Sequence, residues 1–211
     1  MSERILWGRN TSANVQKAIW ALEELGLAYE RKDVGGAFGG LDTPDYGAMN
    51  PNRKIPVLQD GDLTLWESSA IVRYLAAQYG AGTLWPADPR ARAIADQWAD
   101  WANTTFQPAW IEVFVQMVRT APSKRDMGLI KARNDAANAC FAMLDARLGA
   151  VPYLAGETLS YADIMCGVSL YRWSVLDVVR IAMPNVDVWH ERLKQRPGFR
   201  TGVEIDFSSA Y

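Results

Sequence analysis

Residues 50–69 read Asn50-Pro-Asn-Arg-Lys-Ile-Pro-Val-Leu-Gln-Asp-Gly-Asp-Leu-Thr-Leu-Trp-Glu-Ser-Ser69. Val57 to Gln59 predicts a brief apolar strand, and Asp60-Gly61 is a two-residue hairpin signal. Leu63 to Trp66 then predicts the returning strand. Ser68 is a good N-cap for the helical pattern that follows. The stretch therefore predicts a loop, a β-hairpin and the start of a helix.

Two features of this stretch suggest a ligand site. A cis Ile55–Pro56 bond would turn the chain sharply and leave the backbone N–H and C=O of Ile55 facing a peptide-like ligand. Glu67-Ser68 lies where a strand gives way to a helix, where N–H groups attract a carboxylate. Glu67 could hold an ammonium group beside it, so the pair fits an α-amino acid. The alternative is an ordinary hairpin with a turn proline and a capping serine.

The residues before this stretch predict a strand–helix–strand unit. Arg4 to Trp7 and Tyr29 to Asp33 are the strands, and Ser12 to Leu25 is the helix between them. Such a unit usually has a right-handed crossover and parallel strands. Thr43 and Pro44 predict the cap and first turn of a short helix. Residues 1–80 therefore form a predicted βαβ-α-ββα module.

A different composition begins after residue 80. Residues 80–89 are rich in Gly and Pro and carry no period, which predicts a linker over residues 81–88. Residues 89–211 show helical periods and no convincing strand. Ser123 to Asp126 and Ser160 to Asp163 each predict a capping box that opens a helix. The predicted fold class is an α/β domain followed by an all-α domain.

Composition narrows the range of partners. The chain has 211 residues and a net charge of −2, so nothing favours nucleic acid or an anionic membrane surface. No apolar run approaches the ~20 residues of a transmembrane helix, and the first residues lack the apolar core of a signal peptide. Two distant cysteines and one histidine make a metal site improbable. A cytoplasmic location, without membrane or nucleic-acid partners, is the expectation.

Taken together, these features resemble the cytosolic glutathione transferases over nearly the whole chain. The resemblance rests on a thioredoxin-like module, Lys54-Ile55-Pro56, Glu67-Ser68 and a helical domain with a Ser160-x-Ala-Asp-Ile box. The pattern is similar to a bacterial serine-type group that carries Gly-Arg-Asn at the first turn. Here that motif reads Gly8-Arg9-Asn10-Thr11-Ser12-Ala13-Asn14-Val15-Gln16-Lys17.

The resemblance implies a role for each matching residue. Ser12 would hydrogen-bond the glutathione sulfur, with Asn14 beside it, although Asn10 and Thr11 also offer donors there. The backbone of Ile55 would pair with the cysteinyl unit. Lys54 would reach the glycine carboxylate of glutathione. Glu67 and Ser68 would hold its γ-glutamyl end.

The chemistry of the thiol agrees with these roles. A free thiol of pKa about 8.5 is only a few per cent ionised at pH 7, and lowering the pKa by about 2 units requires roughly 2.7 kcal/mol. A charge-assisted hydrogen bond supplies ~1.5–3 kcal/mol, and a helix N-terminus adds ~0.3–1 kcal/mol. Ser12 at a helix start can offer both, so no metal or general base is needed. The alternative is that Ser12 or Thr11 merely caps the helix.

The family resemblance also implies partners and a second site. Glutathione would be a co-substrate, and no cofactor would be permanently bound. The other substrate would be a small hydrophobic electrophile. The protein would be a homodimer with a role in detoxification. The candidates for an electrophile pocket between the domains are Trp7, Arg9, Trp101, Phe106, Trp110 and Phe114. Two other functions stay open on the same fold: glutathione-dependent disulfide or peroxide reduction, and non-catalytic binding of glutathione or a hydrophobic ligand.

Overall fold

A computed structural model describes residues 4–206. Contacts divide the chain into two compact units: the first runs to Trp85 and includes Arg196–Ile205, and the second contains Pro86–Gln195. No helix within residues 4–206 is long and apolar enough to cross a bilayer. In chain order the helices are α1 (Ala13–Glu24), α2 (Pro44–Met49), α3 (Ser68–Tyr79), α4 (Pro89–Trp101), α5 (Gln107–Phe114), α6 (Met127–Leu148), α7 (Tyr161–Ser174), α8 (Pro184–Lys194) and α9 (Pro197–Gly202).

The first unit is built on a four-stranded sheet. The strands are β1 (Arg4–Trp7), β2 (Glu30–Lys32), β3 (Val57–Asp60) and β4 (Leu63–Trp66), in the order β2-β1-β3-β4. β1 pairs parallel with β2 and antiparallel with β3, which pairs antiparallel with β4. The parallel strand–helix–strand unit and the hairpin are thus confirmed, as is the thioredoxin-like class of this unit.

The hairpin turn lies one position later than predicted. β3 extends through Asp60, so the two turn residues are Gly61 and Asp62 rather than Asp60 and Gly61. The Asp60 side chain explains the shift, because it accepts hydrogen bonds from Tyr74 Oη at 3.0 Å and Tyr79 Oη at 2.6 Å. It also pairs with Arg4 Nε at 3.2 Å. These contacts hold Asp60 in the sheet, and Gly61 supplies the positive φ of 62° that the turn needs.

α1 is covered on almost every side, because both α3 and α9 pack on it. Trp20 meets Phe199 of α9 edge to face, with ring centroids 5.0 Å apart. Arg196 Nε donates to Glu24 Oε1 over 2.9 Å at the end of α1. The predicted division kept residues 89–211 together, whereas by contacts α9 lies with the first unit. The contact between α9 and α1 could not be predicted from the sequence, because the two helices lie far apart along the chain.

The close approach of α9 to α1 predicts a large effect of one methyl group. A Cβ at Gly198 would lie 2.8 Å from Trp20 Cδ1 and 3.0 Å from Glu24 N. Gly198→Ala is therefore expected to lower the free energy of unfolding by about 1–3 kcal/mol through overpacking, measured by urea denaturation. The matched control is Gly128→Ala in the first turn of α6, where the nearest atom is an Asp126 side-chain oxygen at 3.3 Å. There the helix propensity of Ala favours a gain, and equal losses in both variants would contradict the packing argument.

The second unit is all helical within the described residues, as predicted. A π-helical turn over Ala102–Phe106 lies between α4 and α5, and Pro108 follows directly after it as the second residue of α5. The predicted box at Ser123 is wrong: Pro122–Lys124 is a 3₁₀ turn, and the carboxylate of Asp126 caps α6 by accepting from Leu129 N at 2.9 Å. Asp126 takes this role because its own oxygen reaches the free N–H groups of the first turn.

The second predicted capping box is confirmed. Ser160 is the N-cap of α7, and Asp163 at the third helical position accepts from Ser160 N at 2.9 Å. Asp163 is fully buried, and its carboxylate also accepts from Leu154 N at 3.0 Å and Trp189 Nε1 at 3.1 Å. One carboxylate therefore joins the loop before α7, α7 itself and α8.

Candidate active site

Strand pairing brings the predicted site residues to one edge of the sheet. Trp7 at the end of β1 pairs with Val57 at the start of β3, and Val57 pairs with Trp66 at the end of β4. The segments that leave the sheet at this edge are therefore the turn before α1, the residues that precede β3, and Glu67 with the start of α3. These three segments carry all of the residues predicted to hold glutathione.

Ser12 begins α1 without using its side chain as a cap. It is the N-cap residue with extended backbone (φ −86°, ψ 126°), and its hydroxyl makes no capping hydrogen bond. Its carbonyl oxygen accepts from Gln16 N at 2.9 Å, which starts the helix. The half-buried hydroxyl is thus not committed to the orphan N–H groups of α1, the role that N-cap serines usually take.

Asn14 stands in the same first turn and is oriented by a buried lysine. Lys17 Nζ donates to Asn14 Oδ1 over 3.1 Å, and Lys17 has no exposed surface. An ammonium group can only donate, so this contact identifies the oxygen of the Asn14 amide. The half-buried Asn14 therefore presents its NH₂ group away from Lys17. The burial of Lys17 was not anticipated, because a lysine on a surface helix normally lies in water.

The predicted cis bond between Ile55 and Pro56 is confirmed. The N–H and C=O of Ile55 take part in none of the backbone hydrogen bonds made outside the helices and strands of residues 4–206. Ile55 itself lies outside every helix and strand. Its backbone polar groups are thus placed as a peptide-like ligand would require.

Two residues that sequence reasoning missed hold the peptide before Ile55. Tyr46 Oη donates to the Lys54 carbonyl over 2.8 Å, and Asn50 Nδ2 donates to the same oxygen over 2.7 Å. Asn50 Oδ1 also accepts from Asn52 N at 2.9 Å, which closes an Asx turn. Asn-Pro is a known signal for turn initiation, so Asn50 could have been found from the sequence.

Glycines allow Ile55 to approach the turn before α1. Gly8 has a φ of 145°, and a Cβ there would lie 2.5 Å from Val15 Cγ2 and 3.2 Å from Ile55 Cβ. On the other side, a Cβ at Gly35 would lie 3.3 Å from Ile55 Cδ1. Ile55 is therefore packed between the first turn of the chain and the glycine-rich loop. This packing joins two of the three segments at the sheet edge.

Glu67 and Ser68 differ from the predicted cap. The N-cap of α3 is Glu67, at φ 71° and ψ 114°, and Ser68 is the first helical residue. Glu67 and Arg53 are the two non-glycine residues of 4–206 with positive φ. Such a backbone costs of order 1–3 kcal/mol and is typical of functional sites. Ser68 is buried and Glu67 is exposed, so the carboxylate of Glu67 can reach a ligand.

In the first unit, Trp7 and Arg9 keep part of their surface accessible. Trp7 Nε1 donates to Gln59 Oε1 over 2.8 Å, and Lys32 Nζ lies 4.9 Å from the centre of its ring. The Arg9 side chain lies against Gly36, where a Cβ would come within 3.0 Å of Arg9 Nε. Both side chains are thus held beside the turn that leads to Ser12.

The candidates in the second unit fall into two groups. Phe106, Trp110 and Phe114 have no exposed surface, so in this structure they are part of the helical core. Trp101 is half-buried and stacks on Phe106, with ring centroids 5.2 Å apart and planes at 17°. Trp101 is therefore the one of these four aromatic side chains that a ligand could touch directly.

Comparisons with known proteins identify relatives over the whole length. The family model for the glutathione S-transferase N-terminal domain matches residues 11–78, and that for the C-terminal domain matches residues 128–192. Glutathione S-transferase GstB of Escherichia coli K12 is 43% identical over 205 residues, which covers 96% of this chain and 99% of the relative. A probable glutathione S-transferase of rice, GSTF2, is 32% identical over 208 residues, which covers 93% of this chain and 94% of the relative.

A solved structure agrees with these relatives. The theta class glutathione S-transferase of the citrus canker pathogen Xanthomonas axonopodis pv. citri, with glutathione bound, superposes with a TM-score of 0.94. It is 44% identical and covers 98% of this chain and 100% of its own. The fold, both domain matches and full-length relatives thus agree, and the chain belongs to the glutathione S-transferase family.

Proposed function

We propose that this chain binds glutathione as a co-substrate, activates its thiol as a thiolate and transfers it to a small hydrophobic electrophile. Ser12 donates to the sulfur, with Asn14 as a second donor from the same turn. Ile55 pairs with the cysteinyl backbone, Lys54 meets the glycine carboxylate, and Glu67 with Ser68 holds the γ-glutamyl end. The proposal places the chain in the serine-type group.

One observation carries this proposal: three segments with complementary chemistry leave the sheet at the same edge. A hydroxyl that does not cap its helix suits a thiolate. An unpaired backbone beside a cis-proline suits a peptide. An exposed carboxylate at a helix start suits an α-amino acid, because the helix N–H groups attract the carboxylate of the ligand and Glu67 attracts its ammonium.

The test is the ultraviolet thiolate absorbance of glutathione bound to the wild-type protein, titrated against pH. The bound thiol is expected to ionise about 2 pH units below the free pKa of about 8.5. Transfer to a panel of aryl halides and other electrophiles is expected in the same preparation. A thiol that binds but titrates at its free pKa would contradict thiolate activation.

The titration also separates the alternative functions. A lowered thiol pKa with turnover of mixed disulfides, but not of electrophiles, would indicate a glutathione-dependent reductase. Bound glutathione without turnover on either panel would indicate a binding protein. The first turn carries no cysteine between Gly8 and Lys17, which favours sulfur chemistry through glutathione itself.

We further propose a homodimer in the cytoplasm. Leu63 and Trp66 of strand β4 are each 37% exposed, and β4 lies at an edge of the sheet. An edge strand with unpaired backbone groups is a surface on which a second chain can pack, and we propose that a second copy of this chain covers it. Light scattering of the purified protein tests the stoichiometry, and a mass of one chain at micromolar concentration would contradict it.

A further inference from the structure

Lys17 of helix α1 is unusual because it is a fully buried lysine. It has no exposed surface, although lysine is almost never fully buried unless it is paired. Its ammonium group donates to Asn14 Oδ1 over 3.1 Å, one turn before it on α1. We infer that Lys17 is a positioning residue, which fixes the Asn14 amide so that its N–H donor faces the glutathione sulfur. This inference rests on the proposed function.

The direction of the amide follows from donor chemistry. An asparagine amide has one accepting oxygen and one donating NH₂ group, and either can face a given side when nothing selects between them. An oxygen directed at a thiolate would repel it, whereas an N–H would stabilise it. Because an ammonium cannot accept a hydrogen bond, Lys17 selects the amide orientation in which the oxygen points inward. The donor is then set before the ligand arrives.

Position in the helix makes this orientation useful. Asn14 is the second helical residue after Ser12, whose hydroxyl makes no capping bond. The first turn of α1 therefore carries two side-chain donors, and the buried ammonium of Lys17 is bonded to one of these side chains, Asn14. A fixed donor needs no reorganisation when the thiol ionises, which is how preorganised sites stabilise developing charge.

The experiment compares thiol titrations of bound glutathione in wild type, Lys17→Met, Asn14→Ala and the double variant. Met keeps most of the aliphatic volume of Lys17 and removes its donor. Both single variants are expected to raise the thiol pKa by about one pH unit, the shift that loss of one hydrogen bond to a charged group produces. The double variant is expected to match Asn14→Ala within about 0.3 pH units, because Lys17 acts through Asn14.

Two outcomes would overturn the inference. A titration of Lys17→Met that coincides with wild type would remove any role for Lys17. Additive shifts in the double variant would show that Lys17 acts by its field alone and not through Asn14. A wild type that fails to lower the thiol pKa would instead refute the proposed function, so the two failures are distinguishable.

Further variants keep the inference testable if Lys17→Met is poorly folded. Asn14→Asp retains an oxygen for Lys17 but has no N–H, so it is expected to raise the thiol pKa more than Asn14→Ala does. If glutathione bound to Asn14→Asp titrates at the same pKa as in the wild-type protein, Asn14 does not donate to the sulfur. Lys131→Met removes an equal charge from an exposed pair with Asp135 and is expected to titrate as wild type. Circular dichroism melts of each variant report the fold separately.

Discussion

Ser12→Ala is expected to lower kcat/KM for a broad electrophile about 100-fold at pH 6.5, with the dissociation constant of glutathione changed much less. The Ser12 hydroxyl is proposed to stabilise the thiolate, and a hydrogen bond to a charged group contributes ~1.5–3 kcal/mol. A loss of about 2.7 kcal/mol corresponds to that factor of 100. The same change should raise the pKa of the bound thiol by at least about 1 unit, because a hydrogen bond of this strength shifts a pKa by that much.

Stability provides an internal check on the Ser12 result. Because the Ser12 hydroxyl makes no capping hydrogen bond, Ser12→Ala is expected to change the free energy of unfolding by less than about 0.5 kcal/mol. A capping serine would cost about 1 kcal/mol. Thr11→Val and Asn10→Ala are the matched variants from the same turn. If one of them loses activity while Ser12→Ala retains it, the sulfur contact belongs to that residue instead.

Asp163→Ala is expected to lower the free energy of unfolding by about 4 kcal/mol or more. The fully buried carboxylate accepts from Leu154 N, Ser160 N, Ser160 Oγ and Trp189 Nε1, at distances of 2.9 to 3.1 Å. Each buried donor left without a partner costs ~1–3 kcal/mol. Such a loss is a large part of the ~5–15 kcal/mol that stabilises a folded protein. Urea denaturation followed by circular dichroism measures it.

The control for Asp163→Ala is the same substitution at a solvent-exposed aspartate of the second unit. Asp135 pairs with Lys131 on the surface of α6, and both side chains are mostly exposed. Asp135→Ala should change the free energy of unfolding by no more than about 0.5 kcal/mol. Comparable losses in the two variants would mean that the Asp163 network does not hold the second unit together.

The effect of Asp163→Ala should also depend on pH. Burial raises the pKa of Asp163 to about 6, against the effect of its four donors. Since the pKa in the unfolded chain is lower, near 4, protonation favours the folded state. The contribution of Asp163 is therefore fully present below pH 4 and is partly lost as the pH rises through 6. The gap between wild type and Asp163→Ala should widen as the pH falls from about 6 to about 4.

Local chemistry was sufficient to predict the strands, the turn at Pro56 and the second capping box. Short apolar runs mark β1, β3 and β4, and the predicted bounds of β1 and β4 agree with the structure. Pro56 marked a turn because a proline before a strand cannot donate to the ladder, whereas its cis bond was implied by the family resemblance. Ser160 and Asp163 carry their own partners within four residues, so no distant contact was needed.

Contacts from elsewhere in the chain explain what the sequence could not predict. Ser68 is an excellent cap by composition, but the sheet delivers the chain to α3 with Glu67 in the capping position at positive φ. Asp60 stays in β3 because Arg4 and two tyrosines hold it. Lys17 is buried because α3 and α9 cover α1, and a short sequence window contains neither helix.

The position of α9 also bears on how the protein is made. The ribosome synthesises Ile19 and Trp20 long before Gly198 and Gly202. These two glycines lack side chains, which lets α9 pack closely on Ile19 and Trp20. The first unit therefore waits for its last segment until the whole helical unit has been synthesised. During that delay the uncovered apolar face of α1 is available to chaperones or to other nascent chains. Expression of residues 4–85 alone would make that unfinished state permanent.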